Sequence, residues 1–239
     1  MKCLDLSFPS PADNLACDEA LLDACDAGAM GETLRFWESP GYFVVVGYGN
    51  SVATEVMQDS CAARGIPILR RPSGGGTVVQ GPGCLNYSLV LKVTETGPLR
   101  SIPSANQFIM ERNRATLERL LGRPVAVRGH TDLAINGLKF SGNAQRRKKQ
   151  ALLFHGALLL NFDLTLISHV LPMPSKEPDY RLNRAHKDFL TNLEVSSDLI
   201  KAALREAWEA TEPLAEVPHE TIASLTRDKY ATTGWNLKF

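Results

Sequence analysis

Apolar and polar positions change their period several times along the chain, and each change marks a predicted element. NLACDEALLDACDAG, Asn14 to Gly28, repeats on a helical period, with Asp13 or Asn14 as the candidate N-cap and Gly28 as the stop. LRFWES (34–39) and YFVVVGYG (42–49) read as two strands, with Ser39-Pro40-Gly41 supplying turn chemistry between them. The second is apolar at nearly every position, as for a strand covered on both faces. Residues 56–64 read as helical until Gly65 and Pro67 stop them.

IPILRR, TVVQ and CLNYSLVLKV continue as strands. Ser104 with Gln107 predicts a capping box, and Ile109, Leu117, Leu120 and Leu121 carry the helix to Gly122 and Pro124. VAVRG, DLAI, LKFSG and ALLFHGALLLNF are strand-like, and Asn136-Gly137 is a strong hairpin signal. If that turn forms, alternation sends Leu138 and Phe140 one way and Lys139 and Ser141 the other. Residues 171–192 are rich in Pro and charge and have no clear period. Leu199, Ile200, Ala203, Leu204, Ala207 and Trp208 then outline an amphipathic helix. Strands dominate the middle with helices interleaved, so the expected class is α+β, with a mixed central sheet flanked by helices.

The chain has 239 residues, of which 44% are hydrophobic, so one sizeable core is affordable. Lys+Arg and Asp+Glu are both 26, which argues against sequence-independent nucleic-acid binding. The five cysteines are scattered and form no C-x-x-C pair, so neither a disulfide framework nor a zinc site is indicated. Reduced thiols, no secretory h-region and no apolar run long enough to span a bilayer all fit a cytoplasmic protein.

Two stretches carry candidate chemistry. In RRPSGGGTVVQ, Arg70 and Arg71 precede Gly74, Gly75 and Gly76. Glycine lets a ligand approach the main chain, successive N–H groups can converge on an anion, and guanidinium groups can add charge-assisted bonds. The run matches neither the Walker loop nor the dinucleotide fingerprint, and on chemistry alone a plain turn with two surface arginines is the commoner reading. In DLAINGLKFSGNAQRRKKQ, Lys139 is a cation held between two apolar anchors, able to offset charge on a phosphate or carbonyl oxygen. A solvated lysine on an edge strand is the plainer reading. The run Arg146–Lys149 fits a hydrated loop or a steering patch for an acidic partner. His155 lies in an apolar strand, where a hydrogen-bonded core histidine is the commoner role.

Together the segments NLACDEALL, LRFWESPGYFVVVGYGN, RRPSGGGTVVQGPGCLNYS, DLAINGLKFSGNAQ and FHGALLLNFDL resemble, in order, the lipoate–protein ligase A family of the biotin/lipoate ligase fold. The resemblance covers residues 1–195 and implies a catalytic domain there, with residues 196–239 as a helical extension packed on it. It implies activation of lipoate by Mg-ATP to lipoyl-AMP, then transfer to a lysine of a lipoyl domain, with an accessory subunit as a further candidate partner. It gives Lys139 the catalytic role. It places Arg70, Arg71, Ser73, Gly74, Gly75, Gly76, Thr77, Val78, Val79, Asn86, Asp132, Ser141, Gly142, Asn143, Ala144, His155 and Gly156 around the nucleotide and acyl-adenylate. It gives no metal ligands, and lipoate and octanoate fit alike. Gln80 stands where the family often has His, and Thr131 where it has Asn. Related octanoyl- and lipoyltransferases use a cysteine thioester without ATP. Cys84 is weighed against that role and reads as structural. A non-catalytic companion that binds an acyl-adenylate or a lipoyl domain is the third reading.

Overall fold

The computed structural model describes residues 1–239. In chain order the elements are β1 (Lys2–Asp5), α1 (Pro11–Asp26), β2 (Thr33–Glu38), β3 (Phe43–Val46), α2 (Val52–Glu55), α3 (Gln58–Ala63), β4 (Ile68–Arg70), β5 (Val78–Gln80) and β6 (Cys84–Lys92). Then follow α4 (Ile102–Leu121), β7 (Ala126–Arg128), β8 (Asp132–Ile135), β9 (Leu138–Arg147), β10 (Ala151–Leu159), α5 (Leu164–Val170), α6 (His186–Phe189), α7 (Ser197–Ala207), β11 (Glu212–Pro213), α8 (His219–Leu225) and α9 (Thr233–Asn236). An eight-stranded sheet runs β11-β1-β2-β6-β10-β9-β8-β7, and a three-stranded sheet runs β4-β3-β5. Parallel pairs (β11–β1, β1–β2, β3–β4) join antiparallel ones, so the sheets are mixed and the class is α+β.

One face of the large sheet packs Leu85, Tyr87, Leu89, Phe140, Phe154 and Leu158 against Ile109 and Leu117 of α4 and Ile200 and Leu204 of α7. The other face meets α1 through Leu15, Leu21, Leu22, Val90 and Leu153. The small sheet covers the rest of that face, where Val44, Val46 and Val79 meet Cys84 and Leu159. A buried Leu or Phe side chain contributes about 1.5–3 kcal/mol, so these layers fix the frame that carries the site.

Several sequence expectations shift. The first helix starts at Pro11 with Ser10 as N-cap, and Asn14 lies inside it. The strands flanking Ser39-Pro40-Gly41 form no hairpin; β2 joins the large sheet and β3 the small one. Both are apolar, and pattern alone does not say which sheet an apolar strand enters. The box capping α4 uses Ser101 and Ser104, three residues before the expected start. Leu199 of α7 is exposed rather than on the packed face. The Asn136-Gly137 turn forms as expected, with φ of 52° and 77°.

Candidate functional site

Cross-strand register builds the site. Trp37, Asn86, Ala157, Gly142 and Asp132 lie opposite one another on β2, β6, β10, β9 and β8. The adjacent row is Arg35, Ser88, His155 and Ala144. Facing residues share a side of the sheet, so both rows point toward α1 and the small sheet. Gly142, Ala144 and Ala157 give the floor little side-chain volume. Along β10, His155, Gly156 and Ala157 are half-buried and the residues on either side are buried. The result is a shallow trough in the middle of an otherwise buried strand.

The glycine run forms one wall. Only Gly75 of the three takes a left-handed conformation, at φ 88°. Its carbonyl is pressed so closely on Gly47 that a Cβ there would lie 2.1 Å from the oxygen. All three carbonyls of the run are bound by side chains. Arg71 donates to Gly74 O (2.7 Å) and Gly76 O (2.7 Å), and Asn50 Nδ2 to Gly75 O (3.1 Å). The backbone N–H groups of Gly74, Gly75 and Gly76 donate to no protein acceptor. The loop thus turns its acceptors toward protein and leaves consecutive donors free, an anion-binding arrangement. Arg71 is 7% exposed and has no carboxylate partner. Burial pulls its guanidinium down to about 10, still charged at neutral pH. The Arg71 fork binds the loop's own carbonyls and places a positive charge against the loop.

Lys139 and Asp132 form the opposite end. Lys139 Nζ is 2.8 Å from Asp132 Oδ1, and Tyr180 donates to Asp132 Oδ2 at 2.9 Å. The expected partner hydroxyl is absent from this side. Ala134 pairs with Lys139 but Leu133 with Ser141, so Phe140 is an extra residue, a bulge. The bulge flips the alternation. Ser141 turns toward the α4 side, and Gly142 takes its place beside the lysine, where a Cβ would lie 2.9 Å from Nζ. Two residues further, about 7 Å along the strand, Ala144 stands against Gly75, within 3.6 Å of where a Cβ would be. One strand therefore joins the lysine to the glycine loop.

The expected site residues divide accordingly. Asp132, Lys139, Gly142, Ala144, His155 and Asn86 share the trough face with the Gly74–Gly76 loop. Asn86 is buried with an unpartnered Nδ2 in the floor row. Thr77 meets Asn50 at the loop exit, and Val78 and Val79 are paired with Val45 and Val44 in the small sheet. Ser141, Asn143 and Gly156 are on the opposite face as far as side chains go. Asn143 accepts from Tyr87 (2.5 Å) and donates to Thr131 O (2.7 Å) and Ser141 (3.3 Å), and Gly156 is the gap that admits it. Arg70 also points away, donating to Gly47 O, Tyr48 O, Asn50 O and Trp235 O.

Behind the trough is a polar network that the sequence reading passed over. Asn14 and Asp18, four apart on α1, clamp Arg35: NH1 lies 2.6 Å from Asp18 Oδ1 and NH2 2.7 Å from Asn14 Oδ1. Ser88 donates to Asp18 Oδ2 (2.7 Å), and His155 Nδ1 lies 3.5 Å from the same oxygen. Burial alone would raise the Asp18 carboxyl; Arg35, with hydrogen bonds from His155 and Ser88, takes it below the usual carboxylate value. His155 Nε2 is 2.6 Å from Ser73 Oγ, which accepts from Arg71 Nε at 3.0 Å. Two signals were present in the sequence: polar residues one turn apart in an apolar helix, and an arginine between Leu34 and Phe36.

All five cysteines are buried. Burial pushes the Cys84 thiol up to about 12, and Cys17 likewise. No three His, Cys, Asp or Glu side chains converge to cage a metal. No helix is long and apolar enough to cross a membrane.

Comparison with known proteins is consistent with this geometry. The octanoyltransferase LipM of Geobacillus kaustophilus is 28% identical, over 98% of this chain and 97% of that protein. A crystal structure of a lipoate-protein ligase A bound with ATP superposes with a TM-score of 0.85 at 27% identity, covering 99% of this chain and 98% of the other. A bi-partite lipoate protein ligase from Thermoplasma acidophilum, solved in a study of it and its E2 lipoyl domain, gives 0.83 at 26% identity, over 99% and 95%. The model of the lipoyl protein ligase A/B catalytic domain matches residues 10–207, and the chain belongs to that family.

Proposed function

We propose that the chain is an ATP-dependent lipoate–protein ligase. The observation that carries this reading is the glycine loop: three unpaired N–H groups over a buried arginine that has no carboxylate. Such a cradle suits a phosphate. In the first step the lipoate carboxylate attacks the α-phosphorus of ATP, and the bond to pyrophosphate breaks. Two anions must approach, and the Arg71 charge, the loop amides and Lys139 offset their repulsion. Mg²⁺ would be held chiefly by the nucleotide phosphates and few protein groups, and would supply further charge neutralisation there. In the second step the neutral amine of an acceptor lysine attacks the acyl carbonyl, which Lys139 polarises, while the bond to AMP breaks and the amine loses a proton. The small floor residues leave room for an unbranched acyl chain.

Relatives named octanoyltransferase favour a second reading, acyl transfer through a thioester without ATP. That chemistry needs a thiolate within reach of the acyl group. Here every thiol is buried and Cys84 is held protonated, so we place the ligase first.

One assay separates the readings. The protein is mixed with lipoate, Mg-ATP and an apo lipoyl domain, and pyrophosphate and acceptor mass are followed. A ligase forms both products only with ATP and loses them in Lys139→Ala. A transferase lipoylates or octanoylates from an acyl-carrier donor without ATP. A binding companion yields neither product.

A further inference from the structure

Of the buried chain Asp18–His155–Ser73–Arg71, only Arg71 has a part in the chemistry above. Its order resembles a nucleophilic serine relay, but Ser73 is fully buried and its oxygen is capped by Arg71. The relay ends on a guanidinium, not on a reacting carbon. Each link constrains the next. Ser73 Oγ accepts the Arg71 Nε–H, so its own proton is free for His155 Nε2 at 2.6 Å. A neutral His155 that accepts there carries its proton on Nδ1, toward Asp18 Oδ2 at 3.5 Å. Asp18 is in turn fixed by Arg35 and Ser88. Arg71 shares its Nε–H between Ser73 Oγ (3.0 Å) and Gly74 O (3.2 Å), reaches Val45 O with NH1 (3.4 Å), and has NH2 left to bridge the carbonyls of Gly74 and Gly76. That bridge engages the loop's carbonyls while its amides stay unpaired.

We propose that His155 is a positioning residue: through Ser73 it locks Arg71 across the glycine carbonyls and so presents the loop amides to an anionic ligand. The identity of that ligand as ATP rests on the ligase reading; the lock itself does not. The other charged group of this network is Arg35, which faces Asp18 from β2, while Ser88 faces it from β6. His155 thus carries the order of α1 and the sheet into the loop.

The test has a ligand-free arm and a ligand arm. Nitrogen NMR of the intact protein should show His155 as the Nδ1–H tautomer and an Arg71 Nε–H that exchanges slowly with water. His155→Phe should speed that exchange, and His155→Gln, which keeps an acceptor, should restore it. An Nε2–H tautomer, or unchanged exchange in His155→Phe, overturns the proposal. In the ligand arm, calorimetry with Mg-ATP should show binding weakened roughly tenfold in His155→Phe, as for one lost charge-assisted hydrogen bond. Ser73→Ala should cost the same, the double variant no more than either, and His155→Gln should stay within about threefold of wild type. Additive losses overturn the proposal. If His155→Phe does not fold, Ser73→Ala and His155→Gln still decide it. A wild-type protein with the expected tautomer and slow exchange that binds no ATP supports the lock and sinks the ligase reading alone.

Discussion

Arg70 and Arg71 are adjacent in sequence and leave the end of β4 in opposite directions. Arg70 binds the carbonyls of Gly47, Tyr48 and Asn50 and stacks near Phe239, while Arg71 bridges Gly74 and Gly76. Arg70→Met removes the donor that ties together the Gly47, Tyr48 and Asn50 carbonyls and is expected to cost about 1–3 kcal/mol of stability, read by denaturant unfolding. Arg71→Met removes the loop's organiser and its charge. Its pyrophosphate release should fall on the order of 100-fold, with a smaller stability loss. Equal effects on both readouts would refute this division of labour.

Gly142 leaves the space that the Lys139 ammonium uses. A methyl there would meet the far end of a flexible side chain, not backbone. Gly142→Ala should therefore keep stability within about 1 kcal/mol while displacing Nζ from Asp132. Acyl transfer should drop about 100-fold, the usual penalty for a displacement of roughly 1 Å in a catalytic group. Single-turnover transfer from preformed lipoyl-AMP measures it.

Cys84 packs with Val44, Val79 and Leu159 behind the trough. Cys84→Ala should cost about 1–2 kcal/mol of packing and leave ATP-dependent lipoylation at near wild-type kcat. Activity abolished in a folded variant would point back to a thioester.

The Asp18–Arg35 pair predicts a pH signature. The folded-state carboxyl ionises below its unfolded value. The pair therefore adds stability above about pH 4 and loses it as pH falls through the lower folded value. Asp18→Asn leaves Arg35 buried without its counter-charge, so it should lose about 3–5 kcal/mol at pH 7. Its stability should also vary less with pH in that acid window. Urea unfolding from pH 7 to pH 3 tests both.

The basic run is not one patch. Lys148 pairs with Asp23 at 2.6 Å, and Arg147 donates to Arg100 O at 2.9 Å. Arg146 and Lys149 are exposed, and Arg146 lies over Tyr48, whose N–H donates to Ser73 O at 2.9 Å. Reversing Arg146 and Lys149 should raise the acceptor KM several-fold at low salt, with the ATP KM unchanged. Lipoylation kinetics at two ionic strengths would reveal it.

Local chemistry was legible where a residue type forces a conformation. Asn136-Gly137 dictated its turn, Gly122 ended its helix, and the glycine run marked the loop. Features set by long-range pairing were not. Leu138-Lys139-Phe140-Ser141 reads as clean alternation, because a bulge leaves no mark on polarity. Nothing in the pair Arg70-Arg71 says which faces the pocket, since both are buried and both bind carbonyls. Asn14 looked like a cap because asparagine favours that place, yet its amide serves Phe8 and Arg35.

The extra residue at Phe140 also separates two halves of one strand. On the near side, the frame is set by the Asn136-Gly137 turn; on the far side, by pairing with β10. A sequence drifting through insertions at that hairpin could retune how far the ammonium reaches while the pocket floor stays put. The irregularity thus lets the lysine end of the strand answer to one neighbour and the Gly142–Ala144 end to another.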